Sequence, residues 1–324
     1  MRYIIAVLLT SNAALAEVPK VVTDIPPVHS IVAMVMGDLG TPELLLAPGA
    51  DEHDFQLKPS QMGAVADADL LVWVGPELTP WLDSALDARG EGGALLTLFD
   101  DAGTYKINYF VSALGEDHDH VEEGHDHDEA EDHAESEGEE GHDDHDHSHA
   151  AGSIDPHVWL DPSTAQYWTG LIATELSRLD PENAATYAAK AEAASARIAT
   201  AEAEAKVLLD PVKDRPFVSF HDAYGYYITY FGLTSVGSIS IGDASTPGAA
   251  RLSALRAELE AGSVACIFPE AQHDAGLVEQ IVDGTGVKIG GTLDPVGSTI
   301  EQGPEAYPTL LLSIATTLSE CLSG

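Results

Sequence analysis

Positive charge is scarce in this 324-residue chain: 14 Lys and Arg stand against 54 Asp and Glu, a formal net charge of −40 with histidines neutral. Without a basic surface there is no counterion-release drive towards a polyanion, so nucleic acid is excluded as a partner. Long apolar runs are also missing. The run from Tyr3 to Leu9 is far short of the ~20 residues that a bilayer-spanning helix needs, and no later segment qualifies. Cysteine is rare: Cys266 and Cys321 are the only two, so at most one intramolecular disulfide can form.

What is present is a 44% hydrophobic content over a length near twice the usual ~150-residue domain, enough for two cores. Residues 1–16 carry one cation, Arg2, then the short apolar run, then the small-residue site Ala14-Leu15-Ala16. This reads as a secretory signal peptide, cleaved to release a protein into a periplasm-like space, and no cysteine near the cleavage site could carry a lipid. An even cysteine count in an exported chain favours a Cys266–Cys321 disulfide over two buried thiols. It would fasten the final helix to a strand.

Short apolar runs alternate with helical patterns, the signature of an α/β fold. In the first half the pattern predicts strands near Val21–Ile25, Leu44–Leu46, Leu70–Val74 and Ala94–Leu98, and helices near Val28–Met36, Pro59–Ala68 and Thr79–Ala88. In the second half strands near Phe217–Phe220, Ser235–Ile239, Val264–Phe268 and Val287–Gly290 alternate with helices near Tyr224–Phe231, Ala249–Glu260 and Gly276–Asp283, and a helix from Tyr307 to Leu322 closes the chain. Two lobes follow, each a four-stranded parallel sheet flanked by helices: an N-terminal lobe over 17–179 and a C-terminal lobe over 211–324. Between them, at 180–210, Asp180 reads as an N-cap and Pro181 as a helix-compatible first residue of one long rigid helix ending near Leu209. At 1.5 Å per residue it would span roughly 43 Å and join the lobes stiffly.

The histidines fall into two groups. Nine of the 14 (His118, His120, His125, His127, His133, His142, His145, His147 and His149) lie in 116–149 with 17 Asp and Glu and no Lys or Arg. That segment lacks the apolar residues of a core and reads as a disordered loop inserted in the first lobe. Neutral imidazoles among carboxylates suit weak capture of several zinc ions. The other five are His29, His53, His157, His221 and His273. Ligands of open α/β sheets sit beyond the carboxyl ends of strands, and His53, His157 and His221 stand at such strand-to-helix or loop-to-helix junctions. Three imidazoles with a carboxylate or water would suit Zn²⁺, although separations of 104 and 64 residues match no local ligand motif.

Five stretches carry a resemblance: Pro48-Gly49-Ala50-Asp51-Glu52-His53-Asp54-Phe55, Trp73-Val74-Gly75-Pro76-Glu77, Asp155-Pro156-His157-Val158-Trp159-Leu160-Asp161-Pro162, Phe220-His221-Asp222-Ala223-Tyr224 and Leu293-Asp294-Pro295. In this order they resemble the metal-specific solute-binding proteins of ABC importers, most of all the zinc-uptake members. The resemblance implies two pseudo-symmetric lobes and a long helix. It also implies a monomer that carries its transported ion in the cleft to a membrane permease driven by a cytoplasmic ATPase. It places the ligands at His53, His157 and His221, with Glu52, Asp294 or water as the fourth. Manganese-binding relatives carry a carboxylate where this chain has His221, so nitrogen there shifts the preference towards zinc. His29, after the first strand, and His273, after the strand ending at Phe268, could reach the cleft rim as partners of the ligands or transient ligands, although an ordinary structural role is the stronger expectation for both; Trp73, Trp159, Trp168 and Phe220 are expected to pack the interior and lobe faces.

Other classes fit less well. A secreted zinc enzyme would need an open coordination site and a base, and neither His-Glu-x-x-His nor Gly-x-Ser-x-Gly occurs. A manganese- or iron-binding homologue, or an adhesin on the same fold, would share most of the motifs.

Overall fold

A computed structural model describes residues 18–89, 92–109, 153–240 and 247–324. The signal segment 1–16 and the histidine-rich segment 116–149 lie outside the described residues. The first half contains β1 (Val21–Thr23), α1 (Pro26–Met36), β2 (Glu43–Leu44), α2 (Pro59–Asp67), β3 (Leu70–Trp73), α3 (Asp83–Arg89) and β4 (Ala94–Thr97), followed by α4 (Pro162–Leu179). After α5 (Ala184–Leu209) the same alternation recurs as β5 (Phe217–His221), α6 (Gly225–Phe231), β6 (Ser235–Ser240), α7 (Ala249–Glu260), β7 (Cys266–Ile267), α8 (Ala275–Val282), β8 (Lys288–Ile289) and α9 (Ala306–Leu322).

Both sheets are wholly parallel, and both have the order second-first-third-fourth: β2-β1-β3-β4 and β6-β5-β7-β8. In each, the chain changes direction beside its first strand, and the carboxyl ends there open a crevice. The predicted strands are found, some shorter than their apolar runs. Beyond β2, Leu45 and Leu46 donate to Thr23 and Asp24 carbonyls, so the run Leu44–Leu46 stays extended.

Helix α1 is apolar all round and every one of its residues is buried, as an element packed on all sides must be. It touches α4, α5 and α9, which brings both halves of the chain onto one core. In α5 the buried residues Tyr187, Ala191, Ala194, Ile198, Ala201, Ala205 and Leu209 recur every three or four positions, and the small alanines let α4 and α9 approach closely. The entry to α5 differs from expectation. Pro181–Asn183 form a 3-10 turn, and the buried Asp180 accepts from the Tyr187 hydroxyl at 2.9 Å and the Asn183 amide at 2.7 Å instead of capping the helix.

Further bonds tie the halves together: the Trp159 indole N–H donates to the Pro295 carbonyl at 2.9 Å, the Tyr307 hydroxyl to the Trp159 carbonyl at 2.6 Å, and the Tyr226 hydroxyl to the Asp155 carbonyl at 2.8 Å. Trp73, Trp159, Trp168 and Phe220 are all buried. Cys266 in β7 and Cys321 in α9 form a disulfide across a separation of 55 residues. On the chain-entropy account such a bond stabilises by about 4 kcal/mol.

Asp24 follows β1 and is fully buried, accepting from the backbone N–H groups of Ile25 and Val74 at 2.8 Å each. Burial pushes its carboxyl up to about 7, against the pull of those hydrogen bonds. An ordinary Asp titrates near 3.9 in the unfolded chain. Between these values the folded state holds a proton that the unfolded state has lost, so this group adds stability as pH falls from about 7 to about 4, on the order of 1 kcal/mol per pH unit. The expected result is that the unfolding free energy of metal-free wild-type protein, minus that of Asp24→Asn, rises across that window in denaturant titrations. A flat difference would remove the assignment.

Candidate metal centre

The loop after β2 is held from two sides. Asp51 accepts the His53 backbone N–H at 2.8 Å, and the Trp81 indole N–H donates to the Glu52 carbonyl at 2.7 Å. This turns the Glu52 carboxylate inward, where it is buried, and leaves His53 partly exposed. His157 precedes a 3-10 turn, Val158–Leu160, that leads into α4. Asp155 Oδ1 accepts the His157 backbone N–H at 2.9 Å and lies 2.7 Å from the ring Nδ1. The Nε2 lone pair is thereby aimed at the crevice. His221 closes β5, and Glu270 just past β7 holds its Nδ1 edge in the same way.

Glu52, His53, His157 and His221 each bring one ligand-type atom within 4.8 Å of all the others. His53 Nε2 lies 3.2 Å from His157 Nε2. Two nitrogens bound at 2.0–2.1 Å to a tetrahedral Zn²⁺ stand roughly 3.3 Å apart, so this pair already has the spacing of two ligands to one ion. Both partners that orient the rings are carboxylates, as is common behind metal-bound histidines. Burial pushes the Asp155 carboxyl well above its usual range, and the nearby Asp222 adds to this, while His157, His221 and His53 oppose it. A divalent cation beside these buried acids would offset the cost of their ionisation. Gly225 keeps the arrangement open: a Cβ there would come within 2.9 Å of Asp155 Oδ2.

The remaining candidates are placed elsewhere. Asp294 accepts from Thr299 N at 2.9 Å, Thr299 Oγ1 at 2.7 Å, Ser298 N at 3.1 Å and Gln272 Nε2 at 3.0 Å, which makes it the organiser of its own loop. It is not among the four residues gathered at the crevice. His29 is buried in α1, with Nε2 3.2 Å from the Pro42 carbonyl. It faces a separate cavity of about 500 Å³ that Lys190 and Arg197 also line. His273 stands beyond Glu270, its Nε2 3.6 Å from Glu270 Oε2. The nine histidines of 116–149 are outside the described residues. Sequence reasoning missed the two orienting acids. Asp155, two residues before His157, and Glu270, at the carboxyl end of β7, both satisfied the same positional rule that selected the histidines.

Two parallel-sheet halves, with three imidazoles and a carboxylate gathered where their strand ends meet, define a class of α/β proteins whose crevice could hold a cation. Comparison with known proteins narrows this class. The family described as zinc-uptake complex component A, periplasmic, matches residues 21–321. The high-affinity zinc uptake system protein ZnuA of Paracoccus denitrificans is 49% identical over 311 residues, covering 96% of this chain and 94% of its own. The protein of the same name from Brucella suis is 39% identical over 306 residues, covering 94% and 91%. The chain belongs to the ZnuA family. Its fold is shared with a ZnuA crystal structure (TM-score 0.71, 22% identity, 94% and 99% of the two chains). It is also shared with the periplasmic zinc-binding protein TroA of Treponema pallidum (TM-score 0.73, 19%, 94% and 99%).

Proposed function

We propose that this protein is a zinc carrier. After loss of residues 1–16 it works in the periplasm, takes up one Zn²⁺ on His53, His157, His221 and Glu52, and hands it to the permease of an ABC importer driven by a cytoplasmic ATPase. The observation that carries this is the convergence of those four donors. Nitrogen-rich coordination favours zinc over manganese. Four protein donors fill a tetrahedron and leave no place for an activated water, which suits a carrier and not a hydrolase. Shared packing of α1, α5 and α9 across both halves supports a carrier, taken to act as a monomer, whose loops, more than its lobes, report loading. The nine histidines of 116–149 serve as an auxiliary, low-affinity zinc reservoir.

The test is zinc and manganese competition with stoichiometry on protein lacking 116–149, beside the full chain. One tight zinc that excess manganese leaves in place, and extra weak zinc only on the full chain, is the expected result. Preference for manganese or iron would reassign the cargo. No tight ion on the shortened protein would move the zinc chemistry into the histidine-rich segment.

A further inference from the structure

The described imidazoles near the crevice do not stop at the three that converge. Ring centroids run in a row: His53 to His157 5.2 Å, His157 to His221 5.4 Å, His221 to His273 5.6 Å. The first three meet at the proposed zinc position. The last two share one carboxylate, since Glu270 Oε2 binds His221 Nδ1 and lies 3.6 Å from His273 Nε2. His221, Glu270 and His273 thus form a second set whose ligand-type atoms all fall within 4.8 Å of one another.

Three features distinguish this set from a chance cluster. Glu270 is only 2% exposed, a buried carboxylate set between two imidazoles and the buried Tyr224 hydroxyl, so its charge calls for a positive partner. His273 is stacked flat on Phe220, with centroids 4.3 Å apart and an interplanar angle of 10°, so its ring is held in place. Burial peaks in the middle of the row: His157 and His221 are buried, whereas His53 at one end and His273 at the other are partly open to solvent, so the His273 end offers a way in that does not cross the ligand His53.

We propose that His273, Glu270 and the Nδ1 edge of His221 form a second divalent-cation position through which zinc enters and leaves the cleft. This rests on the carrier reading above. His221 is the shared ligand and sets the rule of occupancy. With zinc on Nε2, the Nδ1 proton goes to Glu270; with zinc on Nδ1, that proton must sit on Nε2. One ring therefore serves one position at a time: as the ion leaves Nδ1 the ring proton moves from Nε2 to Nδ1 and Glu270, and the freed Nε2, with His53 and His157 beside it, takes the ion up again a few ångströms away. Zinc gives up bound ligands at a cost, and an intermediate held by two imidazoles and a carboxylate lowers the barrier between water and the buried site.

The test uses the full chain loaded with one equivalent of zinc, stripped by excess chelator, and the reverse loading of the metal-free protein. His273→Phe keeps the ring stacked on Phe220 and removes the nitrogens; His273→Ala removes both. The expected result is that both variants retain the equilibrium zinc affinity of the wild type, while loading and stripping slow by about tenfold, the smaller effect of losing a metal-site partner. Rates unchanged in both variants would overturn the proposal. Slowing in the alanine variant alone would also overturn it, because the ring would then act by packing. Zinc-edge anomalous diffraction from His53→Ala/His157→Ala protein gives a second readout: a peak within bonding distance of Glu270 and His273 supports the position, and its absence at saturating zinc opposes it. A wild-type protein that binds no tight zinc would instead defeat the carrier reading, independently of these rates.

Discussion

Replacing His157 by alanine is expected to weaken zinc binding by roughly 10²–10³-fold. Structural zinc sites are worth about 10–16 kcal/mol at neutral pH, so one of four ligands carries roughly 2.5–4 kcal/mol if the share is even. His157 is a good choice because its geometry is the most constrained of the three imidazoles. Asp155 fixes its tautomer through a 2.7 Å bond to Nδ1 and its backbone through a 2.9 Å bond. His53 Nε2 lies 3.2 Å from its Nε2, so the deletion also removes the neighbour that defines where His53 points. Asp155→Asn should cost less, about 10–100-fold, because the ligand remains while its orientation and basicity suffer. Competition against a chromophoric chelator measures both, and thermal unfolding of the metal-free variants checks that each still folds. A His157→Ala protein within threefold of wild type would mean that the ion sits elsewhere. Equal losses for the two variants would mean that Asp155 contributes as much as the ligand it orients.

Much of this architecture is legible in the residues because a parallel sheet buried on both faces needs runs such as Leu70-Leu71-Val72-Trp73 and Phe217-Val218-Ser219-Phe220, and these stand out against polar flanks. The repeated alternation in the two halves reappears as the repeated strand order. Boundaries were less legible where short-range and tertiary terms compete. Asp180 has the composition of a cap, yet the hydroxyl of Tyr187, one core residue away along the helix, captures its carboxylate. The final strand pair is short, since Lys288 and Ile289 are exposed and only a brief register with Cys266 and Ile267 remains. At the site, His53, His157 and His221 could be chosen from strand ends and motif context, but distances across 104 and 64 residues of chain exist only in three dimensions. The choice between Glu52 and Asp294 was open for the same reason. Both follow strands and both are acids, yet the hydroxyls and amides of Ser298 and Thr299 that occupy Asp294 come from its own following loop. Glu270 was invisible as a partner of His221 because the pairing joins the ends of two adjacent strands, β5 and β7.

Acid is expected to empty the site, with apparent affinity nearly constant at slightly alkaline pH and falling steeply below about pH 6.5, where an ordinary imidazole takes up its proton. Each of His53, His157 and His221 offers zinc a lone pair that a proton can occupy instead. The slope of log affinity against pH should therefore approach three protons per ion, one per ligand imidazole. Asp155, whose carboxyl burial pushes well above its usual range, modifies the steepness without changing its sign, since it too gives up a proton more readily beside a bound cation. His273, next to Glu270, lies beside the crevice and is not among the four donors gathered there. Equilibrium dialysis at fixed ionic strength between about pH 7.5 and pH 5 measures the curve. An affinity that stays flat to pH 5 would show that oxygen ligands dominate and would undo the assignment of three imidazoles. Asp24 works against unfolding in this window: its carboxyl, raised to about 7 by burial, contributes stability to the metal-free fold as the pH falls towards 4, and denaturant titration of the metal-free protein tells release from unfolding. Zinc release and fold stability should thus separate across the same window. A protein that loses its ion between pH 7 and 5 while its resistance to denaturant holds or grows would be releasing cargo from an intact cleft.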